Sequence, residues 1–113
     1  MGVDVVMVRA ENRGTSPRRR KVVPVADVPD RDDVFVRLVE RVRGRSRAPM
    51  LGRVDPYGTL VLTCSEMPQL LQELAYLAGL AVDEAEARMI DRVAEIARAC
   101  AGDPASELRL DGD

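Results

Sequence analysis

The chain has 113 residues, of which 46% are hydrophobic and 32% charged, and its 17 Lys and Arg against 19 Asp and Glu leave a net charge of −2. That length suits one domain with a single aliphatic core, and the charge balance excludes both a polycation and an acidic tail. Histidine and tryptophan are absent and aromatic residues make up 3%, which removes His-based nucleophile pairs, imidazole acid–base chemistry, zinc sites that need imidazole, and base-stacking platforms.

Residues 3–8 are apolar and β-branched apart from Met7 and Asp4, which predicts a strand buried on both faces. Residues 11–21 carry Asn, Gly, Thr, Ser and Pro and then Arg18-Arg19-Arg20-Lys21, the composition of a mobile loop. Residues 22–25 are extended in character, but Pro24 has no N–H to give a ladder, so they are expected at a sheet edge. A helix follows over about residues 30–43. Asp30 is placed to cap it, Asp32 and Asp33 fall in its first turn, and Val34, Phe35, Leu38, Val39 and Val42 form one apolar face. Gly44 stops it, and Arg41 and Arg43 suit the negative end of its dipole.

Residues 45–53 read as a loop with Pro49 and Gly52. Asp55-Pro56-Tyr57-Gly58 then has the composition of a β-turn, either a hairpin tip or the launch of the strand at residues 59–63. The next helix spans residues 65–79, with Thr63 and Glu66 at capping-box spacing or Ser65 as an alternative cap, and Met67, Leu70, Leu71, Leu74, Leu77 and Ala78 forming its stripe. Asp83 and Glu86 make a second capping box for a helix over residues 83–101, whose face is Met89, Val93, Ile96, Ala97 and Cys100. The short connection sets these two helices side by side. Residues 106–110 alternate and are expected as a short strand closing the sheet edge. The expected fold is α+β, one domain over residues 1–113: a small, mostly antiparallel sheet covered by three helices.

Charge divides the chain. Up to Tyr57 there are 13 bases against 8 acids, and beyond it 4 against 11. The basic excess lies in Arg13, Arg18, Arg19, Arg20 and Lys21, and in Arg43, Arg45, Arg47 and Arg53, which occupy an acid-free stretch that begins at Arg41. Such clusters create a local positive field that suits an anionic partner. The alternatives are solvated loops or pairing with the chain's own acidic C-terminal helices. These nine residues are the candidate binding set; no catalytic set, metal site or cofactor is expected. Asp27, Asp30, Asp32 and Asp33 lack the alternation, central Gly and twelfth-position Glu of a calcium loop. Neither phosphate-cradling glycine motif is present. Cys64 precedes a helix N-terminus, where a thiol can gain thiolate character, but a small buried hydrophobe is the simpler reading. Cys100 lies on an apolar helix face.

The segment Val54-Asp55-Pro56-Tyr57-Gly58-Thr59, the Leu-rich residues 67–77 and Glu86-Ala87-Arg88-Met89-Ile90-Asp91-Arg92-Val93-Ala94-Glu95 resemble a group of small uncharacterised actinobacterial proteins. Those share an Asp-x-Tyr-Gly-x-Thr turn, a Leu-Leu-x-Glu-Leu helix and a closing strand ending in Gly-Asp. The likeness covers the C-terminal half and the Met1-Gly2-Val3-Asp4 start; Leu62 stands where the group often has an aromatic residue. It implies a bacterial cytosolic origin and assigns no activity. The lone cysteines and the missing apolar leader give the same expectation of a cytoplasmic protein.

The first functional expectation is a non-enzymatic protein that recognises another macromolecule with an acidic surface, of the immunity, antitoxin or accessory type. Nucleic-acid binding through the arginines is second, and a thiol-dependent enzyme or redox sensor using Cys64 is third. No membrane association is expected, and a homodimer stays open.

Overall fold

The computed structural model describes residues 2–12 and 20–112, except for the side chains at positions 11, 12, 20 and 21. Four strands and three helices follow in the expected order: β1 (Val3–Asn12), β2 (Arg20–Val28), α1 (Val34–Val42), β3 (Thr59–Thr63), α2 (Met67–Ala78), α3 (Glu84–Ala101) and β4 (Ser106–Gly112). The sheet is antiparallel throughout, in the order β2-β1-β4-β3, so the C-terminal strand lies between β1 and β3 rather than at the expected edge. The fold is α+β. No helix among the described residues is long and apolar enough to cross a membrane.

The side-chain period of two sorts each strand into rows. Val5, Val28, Leu110 and Leu60 stand in one register row, and Met7, Ala26, Leu108 and Leu62 in another. Most of these residues are buried in the core with Phe35, Leu38, Leu70, Leu74, Leu77, Val93 and Ala97 from the helices. The alternate residues face away: Asp4 and Val61 are exposed, Val6 is half-buried, and Val8 is buried but outside the helix-side core cluster. The helices therefore cover the first strand on one face rather than two, because all three contribute to the same core.

Strands β1 and β2 run further than the expected 3–8 and 22–25. Their ladder continues out to Asn12 opposite Arg20, so pairing extends strand structure into residues with weak β-propensity. Pro24 does lie on an edge strand, and the register shifts between Met7 and Val8, next to it. A bulge is where a residue without an N–H is tolerated.

The first helix begins later than its sequence suggests. Residues 31–33 form a 3₁₀ turn in which Asp32 (φ 60°) and Asp33 (φ 56°) are left-handed, and α1 starts at Val34. Aspartate tolerates that region better than most residues. Asp30 still caps the helix, but across this turn: its carboxylate accepts the N–H of Phe35 at 2.8 Å and of Val36 at 3.0 Å. It also accepts the N–H of Val3 at 2.9 Å, while its own N–H donates to Asp4 Oδ1 at 2.7 Å. One side chain thus ties the start of the sheet to the start of the helix.

Glycine is needed at two places. Gly44 (φ 81°) turns the chain out of α1. At Gly112 a Cβ would fall within 2.6 Å of the Asp55 carbonyl oxygen, because β4 ends against the 55–58 turn. That turn launches β3 after a 3₁₀ turn at Leu51–Arg53, so it is not a hairpin tip. Before α2, a 3₁₀ turn at Cys64–Glu66 carries the expected box: the Glu66 carboxylate accepts the Thr63 N–H at 2.9 Å. Asp83 caps α3 by accepting the Glu86 N–H at 2.9 Å.

Candidate functional site

The described arginines of the first half divide into those neutralised inside the fold and those left on its surface. Burial of Phe35, Leu38 and Val42 sets Arg37 and Arg41 one turn apart on the flank of α1 that faces α3. There both meet Glu86, whose side chain is fully buried. Arg41 is bidentate to it at 2.7 and 2.8 Å and donates to the Leu80 carbonyl at 3.0 Å; Arg37 Nε adds a bond of 2.9 Å. Glu86 also accepts the Val82 N–H at 3.0 Å. The Arg41 hydrogen bonds hold its carboxyl down at a pKa of about 2, assisted by the Val82 N–H and Arg37 and opposed by burial. Pairing with an acidic helix, one of the readings open from sequence, accounts for these two arginines.

Arg43, a member of the candidate set, is also internal in role. It pairs with Glu40 at 2.7 Å and donates to the carbonyls of Gly52 (3.0 Å) and Val54 (2.8 Å). It closes the 44–54 segment onto the end of α1.

That segment is not a solvated loop. Ala48, Met50, Leu51 and Val54 are buried in the core, and the backbone turns through Ala48 N–H to Arg45 C=O (3.1 Å) and Gly52 N–H to Ala48 C=O (3.0 Å). Beneath it, the buried carboxylate of Glu73 on α2 accepts the N–H groups of Met50 (3.2 Å) and Leu51 (2.9 Å) and the Gln69 amide (2.9 Å). Replacing Glu73 by glutamine, whose NH₂ cannot accept, is expected to cost about 1 kcal/mol and to speed amide exchange at residues 50 and 51 relative to α3. Unchanged exchange there would show that Glu73 does not anchor the segment.

The anchored segment presents Arg45 and Arg47 to α2. Arg45 Nη1 donates to the Tyr76 hydroxyl at 3.1 Å, and the Arg47 guanidinium stands 4.8 Å from the Tyr76 ring centroid, within cation–π range. Both arginines are exposed, and among the described residues neither has a carboxylate partner. Arg47 and Tyr76 border an open groove of about 610 Å³ whose lining also includes Pro49, Pro68, Gln69 and Gln72, and Arg45 joins it only through the Tyr76 hydroxyl. Glu73 lies at its base with both oxygens engaged as above. The groove therefore offers one guanidinium, two amide side chains and an aromatic face, with a second guanidinium held at the Tyr76 hydroxyl.

Arg53 is exposed on its 3₁₀ turn, and among the described residues no hydrogen bond or cation–π contact joins it to Tyr76. Arg20 and Lys21 begin β2, with their side chains outside the described set, and Arg13, Arg18 and Arg19 lie outside the described residues. Of the four candidates whose side chains are described, two, Arg45 and Arg47, converge on Tyr76.

Sequence reasoning missed Tyr76, Gln69, Gln72 and Glu73. A signal existed: Glu73 falls on the same helical face as Leu70, Leu74 and Leu77, as Glu86 does with Met89, Ile90 and Val93. An acid in a buried stripe must have a dedicated partner.

Cys64 is half-buried beside a cleft of about 210 Å³, lined by Thr63, Val22, Pro104 and Ser106, with Glu107 as the carboxylate among its walls. Cys100 is buried, and burial pushes its thiol pKa up although the Ser106 hydroxyl donates to its sulfur at 3.3 Å. Another concavity, about 480 Å³, separates β2 from α3 and is walled by Ala26, Val28, Ile96 and Ala99 with Arg92 and Glu95. Among the described residues no three Cys, Asp or Glu side chains gather as metal ligands. No protein-family model matches the chain, and neither a curated protein nor a solved structure shows a significant likeness to it.

Proposed function

We propose that this chain is a small non-enzymatic binding protein that recognises an acidic surface of another protein, in the manner of an immunity, antitoxin or accessory partner. The observation that carries this reading is the convergence of Arg45 and Arg47 on Tyr76 at the lip of the 610 Å³ groove. The neighbouring Arg37, Arg41 and Arg43 are neutralised within the fold. Two guanidiniums held by one ring are pre-oriented, which lowers the ordering cost of binding a carboxylate. Tyr and Arg are also the residue types that most often dominate protein interfaces.

The test is affinity capture from cells of the native host on immobilised protein, at about 50 and about 200 mM salt. The wild type is expected to retain a protein partner that the Arg45→Glu/Arg47→Glu variant loses more than tenfold, with unchanged circular dichroism. Equal retention by both, or none by either, overturns the proposal. Retention of duplex nucleic acid instead, with log affinity falling steeply in log salt, would replace it by the nucleic-acid reading.

A further inference from the structure

We propose that β3 pairs antiparallel with β3 of a second copy of this chain, across a two-fold axis through Val61. The sheet has two edges, β2 and β3, and they are built differently. Strand β2 has Pro24 beside a register shift, with Lys21 and Asp27 along its length. These are the devices by which an edge refuses a further strand. Strand β3 has none of them. Its sequence, Thr59-Leu60-Val61-Leu62-Thr63, carries no charge and no proline and reads the same in both directions. A strand with that symmetry is its own complement in an antiparallel ladder, and a two-fold interface requires such self-complementarity.

The backbone phase agrees. Gly112 donates its N–H to the Gly58 carbonyl at 2.7 Å, so Gly58, Leu60 and Leu62 are the residues of β3 bonded to β4. The alternation of antiparallel pairs then turns the N–H and C=O of Thr59, Val61 and Thr63 to the open edge. The Thr63 N–H is accordingly found on Glu66 rather than on β4. The centre of the palindrome thus coincides with a residue whose backbone faces outward. Pairing about Val61 gives a reciprocal pair of bonds between the two Val61 residues, flanked on each side by Thr59 N–H to Thr63 C=O. Leu60 of each copy falls opposite Leu62 of the other on the helix side. On the outer face the two Val61 side chains, each 42% exposed in the monomer, meet. Two four-stranded sheets become one continuous sheet with all helices on one face, and the exposed Tyr57 ring flanks the seam. Register is fixed because a one-residue slip would oppose inner to outer rows.

Sedimentation equilibrium from about 10 μM to about 1 mM tests this. The wild type is expected to rise with concentration from 12.4 kDa towards twice that mass. Val61→Lys places like charges directly opposite each other, and Val61→Pro removes an outward N–H without breaking a bond to β4. Each should weaken association at least tenfold while far-UV circular dichroism stays unchanged; if the proline variant loses its fold, the lysine variant decides. Val25→Lys, on the other edge, should associate as the wild type does. A wild type that remains at monomer mass at the highest concentration overturns the proposal. So does a dimer that persists in Val61→Lys, or one abolished by Val25→Lys.

Discussion

Replacing Glu86 with alanine is expected to destabilise the fold by about 3 kcal/mol at neutral pH, as removal of one partner from a buried ion pair does. The substitution leaves Arg41, three-quarters buried, without its bidentate acceptor, and removes the acceptor of the Val82 N–H. Arg37, with about half its side chain in solvent, rehydrates and adds less. Glu86→Gln retains one acceptor oxygen and the side-chain volume, so it should fall between wild type and alanine. Urea unfolding at fixed salt measures the order; a loss below about 1 kcal/mol for the alanine variant would show that the cluster contributes no more than an ordinary surface pair.

The same residue sets an acid dependence whose sign follows from its depressed pKa. The carboxyl has an ordinary value of 4.5 and titrates near 2 in the fold. Its contribution is therefore complete above about pH 4.5 and is lost progressively as pH falls from there towards 2. Wild type and Glu86→Gln should converge in stability over that interval and stay parallel above it. Curves that remain parallel down to pH 2 would remove Glu86 from the acid response.

Asp30→Ala is the second large effect, expected at about 3 kcal/mol, because one carboxylate serves the N–H groups of Val3, Phe35 and Val36. Its loss would uncouple the first residue of β1 from the first turn of α1. Hydrogen exchange should show it locally: amides 3, 35 and 36 accelerate ahead of the core of α3. Asp30→Asn keeps one acceptor oxygen and should cost roughly half as much. Exchange rates that rise equally across the chain would mean global destabilisation without the predicted knot.

Two arginines of the same sequence stretch illustrate what could be read in advance. Arg41 and Arg45 are four residues apart in an acid-free run, the first in the last turn of a helix and the second in the segment after Gly44, and neither position reveals its partner. Arg41 has a buried carboxylate from a helix 45 residues later, whereas Arg45 has a tyrosine hydroxyl. The partner is fixed by how helices dock, and a cluster of like charges in sequence does not specify which members the fold will neutralise. Glu73 shows the converse. Its place in the Leu70, Leu74 and Leu77 stripe was legible, but that it would hold the backbone of residues 50 and 51 was not.

The sequence by itself determined the element order, the inward faces of all three helices, the edge position of Pro24, the Thr63–Glu66 box and the Asp83 cap. Each follows from periodicity, or from chemistry acting within a few residues, where the partner is dictated by chain geometry. The tertiary structure alone decided that the sheet is covered on one side, that α1 starts after two left-handed aspartates, that residues 44–54 pack into the core, and which arginines remain available. Those outcomes depend on groups brought together from distant positions. Burial requires every charge to find a partner, but leaves open which one until the helices are in place.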